Sequence, residues 1–574
     1  MQLLKEQFDL LFDSPESTEK LKRMILELAV RGKLVPQDPD DEPASALLDK
    51  IQKEKERLLD EGKIKKEKPL PPISEEDIPY ELPLGWKWVR LGDIVLYGNS
   101  TQVSPDKIKD DDWLLELEDI EKDNSKLIRR VLFSDRNSKS NKNKFKKDDV
   151  LYGKLRPYLN KVIVADQEGY SSSEIIPIET LGIIMPSYLM YFLRSKCFTE
   201  YIDNCTYGTK MPRLGTLDAK KALVPLPPLN EQQRIVNKIE ELFDSIPQLN
   251  ETLNQRNSYN RKLNTASLYR LTTSQEREEF DDSLSFIMNN FDTLYTNIES
   301  INELRQAFLT LAVQGKLVPQ DPNDEPAYVL LEKINEEKER LIEAGEIKRE
   351  KPLPPISEEE IPYELPQDWE WVRLNNVLQL NNKSLRRGPF GSSIRKDMFV
   401  QKSNDSFKIY EQKNAIKKDY SLGEYYITAE KYKELKSFAV KAGDIIISCA
   451  GTIGETYLLP KEAPDGIINQ ALLKITLNNE VIINDFFLDL FEYLTQNSIM
   501  QDVKGSAMKN MMSVGVLKKT ILPLPPLREQ KRIVNKLYTI NALCNNLNYN
   551  IYQNINIHNL LLEAVHNKSL NNDL

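Results

Sequence analysis

The 574-residue chain is long enough for about four domains of ordinary size, and its 40% hydrophobic and 29% charged content is that of a folded globular protein. No run of about 18 apolar residues offers a membrane span, and the start, MQLLKEQFDLLF, lacks the basic and apolar regions of a secretion signal, so a cytoplasmic protein is expected. The net charge of -10 speaks against a uniformly nucleic-acid-binding surface, while two histidines (His558, His566) and four scattered cysteines (Cys197, Cys205, Cys449, Cys544) speak against histidine-based catalysis, a disulfide framework and a metal site.

In chain order, Leu21, Ile25, Leu26 and Val30 predict a first helix that stops at Gly32. A VPQDP loop and a second helix, ALLDKIQKEKERLLDEG, follow. The PLPPI stretch then reads as an extended, proline-stiffened arm, either a linker or a docking arm for a partner subunit. Trp86 to Leu91 predicts a strand with one buried face, DDVLYGKLRPYLNKVIVA (148–165) a strand, turn and strand, and SYLMYFLRS (187–195) a helix. After PLPPL, Glu231 opens a long helix at its favourable N-terminal end. Its apolar residues Ile235, Ile239, Leu242, Ile246, Leu249 and Leu253 form a heptad seam, and Pro247 within it predicts a kink or break.

The same order then recurs. Residues 29–39 (AVRGKLVPQDP) return as 312–322 (AVQGKLVPQDP), and over about 66 aligned residues roughly three quarters are identical. Leu304, Phe308, Leu309, Val313 and Gly315 repeat the first helix and its stop, YVLLEKINEEKERLIEAG the second, and Trp369 to Leu374 the strand. GDIIISCAGTIGETYLL (443–459) and FFLDLFEYLTQ (486–496) correspond to the strand–turn–strand and helix, with Asp149 and Asp444 at matching places. PLPPLREQKRIVNKL (523–537) repeats 225–239, and its helix carries Ile533, Leu537, Ile540, Cys544, Leu547 and Ile551 at the same steps. The two long helices are expected to pair antiparallel through these seams.

Between the matched segments lie stretches of little mutual similarity, about 92–222 and 375–520, left apart either by selection or by drift after duplication. They are slightly net positive, and the frame carries the acidic excess. Lys126 to Lys161 holds about 12 basic residues against 3 acidic, and Lys383 to Lys418 about 10 against 3, a pattern suited to phosphate binding. The expected layout is an N-terminal helical region with the arm (1–85), a first divergent domain (86–228), a central repeated region (229–368), a second divergent domain (369–526) and a C-terminal long helix (527–574). The expected fold is α+β, with two mixed α/β domains joined by long antiparallel coiled-coil-like helices and an internal pseudo-twofold duplication. Each divergent domain is expected to hold a small, curved, antiparallel-rich sheet.

No catalytic constellation stands out. The chain has no phosphate-binding G-x-x-x-x-G-K-[ST], no dinucleotide fingerprint and no Asp/Asn-Pro-Pro-aromatic motif, and Gly451-Thr452-Ile453-Gly454 reads as a hairpin turn. A scaffolding coiled coil would not need basic clusters in the divergent units, and a fused enzyme would need a cofactor or metal motif.

The twin PLPPLxEQxRIV helices, the twin LAVxGKLVPQ segments, the twin W-x-WVRL openings and the DVLYGKLRP strand–turn together resemble the specificity subunit of type I restriction-modification systems, over essentially the whole chain. The resemblance implies a non-catalytic subunit whose two recognition domains each read half of a split site in double-stranded DNA. The paired helices would set the spacing. It implies two methyltransferase and two restriction subunits as partners, which would carry S-adenosylmethionine, ATP and magnesium, so none is expected on this chain. An orphan subunit without active partners is the remaining reading. DNA-binding candidates are Lys144, Lys146, Lys147, Lys154, Arg156, Tyr158, Lys210 and Arg213 in the first domain, and Arg386, Arg387, Arg395, Lys396, Lys413, Lys509 and Asn510 in the second. Arg156 and Arg213, beside Pro157 and Pro212, are favoured in the first; the loop Gly388-Pro389-Phe390-Gly391 is favoured in the second.

Overall fold

The computed structural model describes residues 8–136, 138–206, 211–390, 393–496 and 513–571. The chain divides into two units, Met1–Ser258 with Ile555–Leu574, and Tyr259–Asn554. Each long helix, Leu229–Thr273 and Leu527–Asn571, begins in one unit and ends in the other.

In the first unit, helix Pro15–Val30 starts at a reciprocal Ser14–Ser17 cap and buries Leu21, Met24, Ile25 and Leu28. It ends at Gly32, whose φ of +68° suits glycine; a Cβ there would lie 2.5 Å from Pro83 Cγ. Helix Ala44–Asp60 follows. The recognition domain is closed by an antiparallel clasp of Lys87–Arg90 on Leu223–Leu226, which brings its two chain ends together. Its first sheet orders Leu96–Tyr97, Ile175–Glu179, Val150–Gly153 and Val162–Val164, all antiparallel. Its second orders Gln102–Val103, Lys142–Phe145, Gly169–Ser171 and Leu114–Leu115, the last pair parallel. Helices Pro186–Arg194 and Lys196–Cys205 join Tyr97, Tyr152, Phe192 and Phe198 in the main core.

The second unit repeats this plan. The clasp pairs Glu370–Arg373 with Ile521–Leu524. The first sheet orders Leu385–Arg387, Leu472–Ile475, Ile445–Ser448 and Thr456–Leu458, again antiparallel. The second orders Tyr426–Thr428, Ser406–Tyr410, Gly466–Ile468 and Ala439–Val440, its central pair parallel. Two four-stranded sheets therefore stand where a single small sheet was expected in each domain. Asp149 and Asp444 make the same turn: each carboxylate accepts a backbone N–H, from Lys146 at 2.8 Å and from Lys441 at 2.9 Å. Asp148 takes the left-handed position (φ +69°) that Gly443 takes in the other domain.

The recurring PLPPLxEQxR motif proves to be a lock. Glu231, buried at the helix start, accepts from Trp86 Nε1 (2.9 Å) and Gln37 Nε2 (2.8 Å). Gln232 accepts the Met185 N–H (2.9 Å) and donates to the Pro227 carbonyl (3.1 Å), and Arg234 pairs with Asp41 (2.7 Å). In the second copy Glu529 accepts from Trp369 Nε1 (3.0 Å), Gln530 accepts from Ile483 N–H (2.8 Å), and Arg532 pairs with Asp324 (2.8 Å). These three side chains tie the long helix to the frame, the opening tryptophan and the recognition domain at once. Burial raises both carboxyls above their usual range, and the hydrogen bonds from the tryptophan and glutamine side chains oppose that rise.

Each of the matched seams is buried within its own unit. Ile235, Ile239 and Ile246, with half-buried Leu242 and Leu249, enter the first unit's core, which also holds Leu562, Val565 and Leu570; Leu253 is buried beyond them. Ile533 and Leu537 enter the second domain's core, while Ile540 and Cys544, with Leu547 and Ile551, join Leu268, Leu271, Leu304 and Leu311. In the first unit helix Pro15–Val30 touches both long helices, through Thr18–Asn250 (2.9 Å) and Lys20–Asn559. In the second, helix Ile298–Val313 does so through Glu303–Asn264 (2.7 Å) and Arg305–Asn545 (2.9 Å). Within each unit, the earlier part of one long helix therefore shares a frame helix with the later part of the other. The first long helix also runs unbroken through Pro247, which is exposed and so costs the helix a hydrogen bond on its solvent side.

Candidate nucleic-acid interface

The basic run of the first domain is consumed in part by its own fold. Arg129 pairs with Asp119 (2.8 Å) and Glu118, Arg136 with Glu116 (2.8 Å) and Asp119, and Arg130 with Asp166 (2.6 Å) while stacking on Trp113. Lys142 is buried, and Lys161 donates to the Leu117 carbonyl (2.7 Å). A count of cations along the sequence cannot separate these internal pairs from free surface charge.

The candidates that remain fall into two groups at opposite ends of strand Val150–Gly153. Before it, exposed Lys144 and Lys146 make loose ion pairs with Glu168 (3.8 Å) and Glu179 (3.4 Å), and exposed Lys147 pairs with no described residue. Burial pushes the neighbouring Asp149 carboxyl up to about 6. Beyond the strand, Lys154, Arg156 and Tyr158 occupy the hairpin turn. Lys154 and Arg156 form no side-chain ion pair or hydrogen bond among the described residues, and Tyr158 is 51% exposed.

This turn does not stand alone. Leu155 bridges to Arg213, and the Arg156 N–H donates to the Pro212 carbonyl at 2.7 Å. Arg213 forms a two-pronged pair with Glu174 (3.2 and 3.3 Å). The structure thus brings the two favoured arginines, 57 positions apart in sequence, onto adjoining backbone segments. Arg156 (φ +51°) and Asn160 (φ +47°) both take left-handed conformations around the short helical turn Pro157–Leu159. Lys210 lies outside the described residues.

In the second domain the equivalent hairpin turn, Cys449 to Glu455, carries no cation, and the charge comes from a different element. Arg386 and Arg387 end strand Leu385–Arg387, where Arg386 stacks on Phe438 (5.0 Å) and Arg387 on the exposed Phe390 (5.2 Å). Arg387 lies opposite Leu473, and the thiol of Cys449 feels its charge, so it sits at the hairpin end of the sheet. Gly388 is packed so closely that a Cβ would fall 1.9 Å from the Asn469 carbonyl oxygen, which fixes the direction of the loop. Arg395 pairs with Asp397 (3.1 Å) and Lys413 with Glu411 (2.8 Å); Lys396 is exposed. Gly391, Lys509 and Asn510 lie outside the described residues. Corresponding ends of two like-folded domains therefore present different cationic and aromatic groups. Among the described residues no cluster could hold a metal ion, and no helix is long and apolar enough to cross a membrane.

Comparison with known proteins agrees with this duplicated plan. A family model described as the type I restriction modification DNA specificity domain matches residues 83–256 and 366–556. The chain is 34% identical over 544 residues to the type I restriction enzyme EcoAI specificity subunit of Escherichia coli, covering 92% of this chain and 90% of that protein. It is 30% identical over 561 residues to the EcoEI specificity subunit of the same organism, with the same coverage. A crystal structure of the HsdS subunit from Thermoanaerobacter tengcongensis is similar at 19% identity and a TM-score of 0.45, covering 86% of this chain and 99% of that one.

Proposed function

Because the chain belongs to the family of type I restriction-modification DNA specificity subunits, we propose that each recognition domain reads one half of a bipartite double-stranded DNA target, and that two methyltransferase and two restriction subunits act on the site so chosen. S-adenosylmethionine, ATP and magnesium bind those partners, and this chain supplies selection and spacing. The observation that carries the reading is the pair of like-folded domains that present unlike cationic and aromatic groups at the same end of the same sheet.

In the first domain Lys154, Arg156, Tyr158 and Arg213 form the contact surface; in the second Arg386, Arg387 and the Phe390 loop do so. Lys144, Lys146, Lys147, Lys210, Arg395, Lys396, Lys413, Lys509 and Asn510 serve chiefly phosphate positioning, which fixes register without reading sequence. Arginine favours guanine edges in the major groove, and a left-handed Arg156 held by Pro212 suits a side chain aimed from a turn. Co-expression with a methyltransferase subunit and mapping of methylated adenines tests this. A split motif is expected in which replacing residues 92–222 alters one half only; a continuous motif, or both halves changing together, contradicts it.

A further inference from the structure

We infer that the proline-rich arm, residues 64–83 and again 347–366, is the docking site for the methyltransferase subunit, used once in each copy; this rests on the family reading above. The arm is mostly exposed in both copies, yet between IKKEKPLPPISEEDIPYELP and IKREKPLPPISEEEIPYELP only Lys66/Arg349 and Asp77/Glu360 differ, and both keep their charge. The preceding helix is a control for drift, because it diverged for as long. There, exposed positions change freely, as in Gln52/Asn335 and Lys53/Glu336, and just past its end in Glu61/Ala344 and Lys63/Glu346. Exposed irregular segments ordinarily vary more than the elements they join. Here the order is reversed.

Part of the identity is explained by the arm's own anchoring. Arg90 donates to the carbonyls of Pro71 and Pro72 (both 3.2 Å) and pairs with Asp77 (3.1 Å). Arg373 donates to Pro354 (3.3 Å) and Pro355 (3.2 Å) and pairs with Glu360 (2.6 Å). Tyr80 donates to the Val30 carbonyl and accepts Trp88 Nε1 at its own carbonyl (both 3.1 Å); Tyr363 repeats this with Val313 and Trp371. None of these contacts uses the side chains of Glu75, Glu76, Ile78, Pro79 and Glu81, or of Glu358, Glu359, Ile361, Pro362 and Glu364. Ile78 and Ile361 are 40% and 39% exposed, a matched pair of large apolar side chains facing solvent. What is kept is a rigid, pre-organised strip of isoleucine and proline edged by carboxylates. It suits a partner with an apolar slot rimmed by basic groups.

The anchoring also says which partner. Arg90 and Arg373 each donate to a carbonyl at the close of the recognition domain, Lys221 (2.8 Å) and Lys519 (2.6 Å). The arm is thereby fixed to both ends of the domain's clasp. A subunit that methylates a base within the half-site being read needs that constant register, once per reader.

The test uses the full-length chain mixed with its methyltransferase subunit, with stoichiometry read by native mass spectrometry and affinity by titration. Ile78→Asp with Glu75→Lys and Glu76→Lys should leave one methyltransferase subunit per chain, the same changes at Ile361, Glu358 and Glu359 should do likewise, and both together should leave none. The affinity at each changed arm should fall at least about tenfold. The milder Glu75→Gln with Glu76→Gln should weaken binding with a smaller salt dependence, which separates docking from misfolding. Two methyltransferase subunits still bound by the double-arm variant at near wild-type affinity would overturn the assignment. In a parallel mixture that also holds the restriction subunit, loss of that subunit alone would likewise overturn it, by moving the arm to that partner. If the wild-type chain binds no methyltransferase subunit, the family-based reading fails as well.

Discussion

Arg156 sits in a left-handed conformation that costs an L-residue about 1 kcal/mol, and its exposed side chain makes no described contact that would repay this. Arg156→Gly should therefore raise stability by up to about 1 kcal/mol in chemical denaturation while weakening DNA binding and lowering the salt slope by about one. Equal losses of stability and binding would make the residue structural. Asp489 is a second test at this scale. It lies half-buried on helix Asn484–Gln496 between Asp485 and Glu492, and burial first, then those charges, push its carboxyl up to about 7. A raised folded pKa means its contribution to stability is fully present below the unfolded value of 3.8 and is lost as pH rises through about 7. The protein should lose up to about 2 kcal/mol from this group between pH 4 and 8. Asp489→Asn should flatten that slope and be the more stable form at pH 8; an unchanged slope in pH-dependent denaturation would refute the assignment.

At the scale of elements, the periodicity of the frame was readable because each helix buries one face, and an apolar stripe shows in the sequence whatever partner covers it. The stops at Gly32 and Gly315 were equally plain, since both need a left-handed backbone. What could not be read was which partner each seam meets. A heptad of isoleucines and leucines specifies an apolar stripe, and that stripe is satisfied equally by a recognition domain, by a frame helix or by another long helix. The expected break at Pro247 failed for a related reason. One missing N–H on a solvent-facing position leaves a carbonyl that water can satisfy, and the packed face of Ile239, Ile246 and Leu249 holds the helix through it. Pro247→Ala should stabilise the chain by about 1–3 kcal/mol in chemical denaturation. A destabilised variant would show that the local geometry imposed by proline is required.

At the scale of the whole molecule, the two divergent stretches hide a common fold. Their first sheets share strand order and direction, and Asp149 and Asp444 make matching turns. The correspondence of 148–165 with 443–459 and of Asp149 with Asp444 was legible in the sequence, but the two-sheet plan was not, because few positions define the shared turns, such as Asp148 against Gly443, while the surface groups differ. The candidate surface was legible only in part for the opposite reason. Arg156 and Arg213 were recognisable as turn arginines, but their juxtaposition depends on the bridge between Leu155 and Arg213, and the internal pairing of Arg129, Arg130 and Arg136 depends on carboxylates brought in by folding. The frame thus holds each divergent domain by the same clasp, Lys87–Arg90 on Leu223–Leu226 and Glu370–Arg373 on Ile521–Leu524. The most direct test is to replace residues 92–222 with residues 375–520 of the same chain, co-express the product with the methyltransferase subunit, and map methylated adenines. The account predicts a target built from two copies of one wild-type half-site. Retention of the original asymmetric target would contradict it.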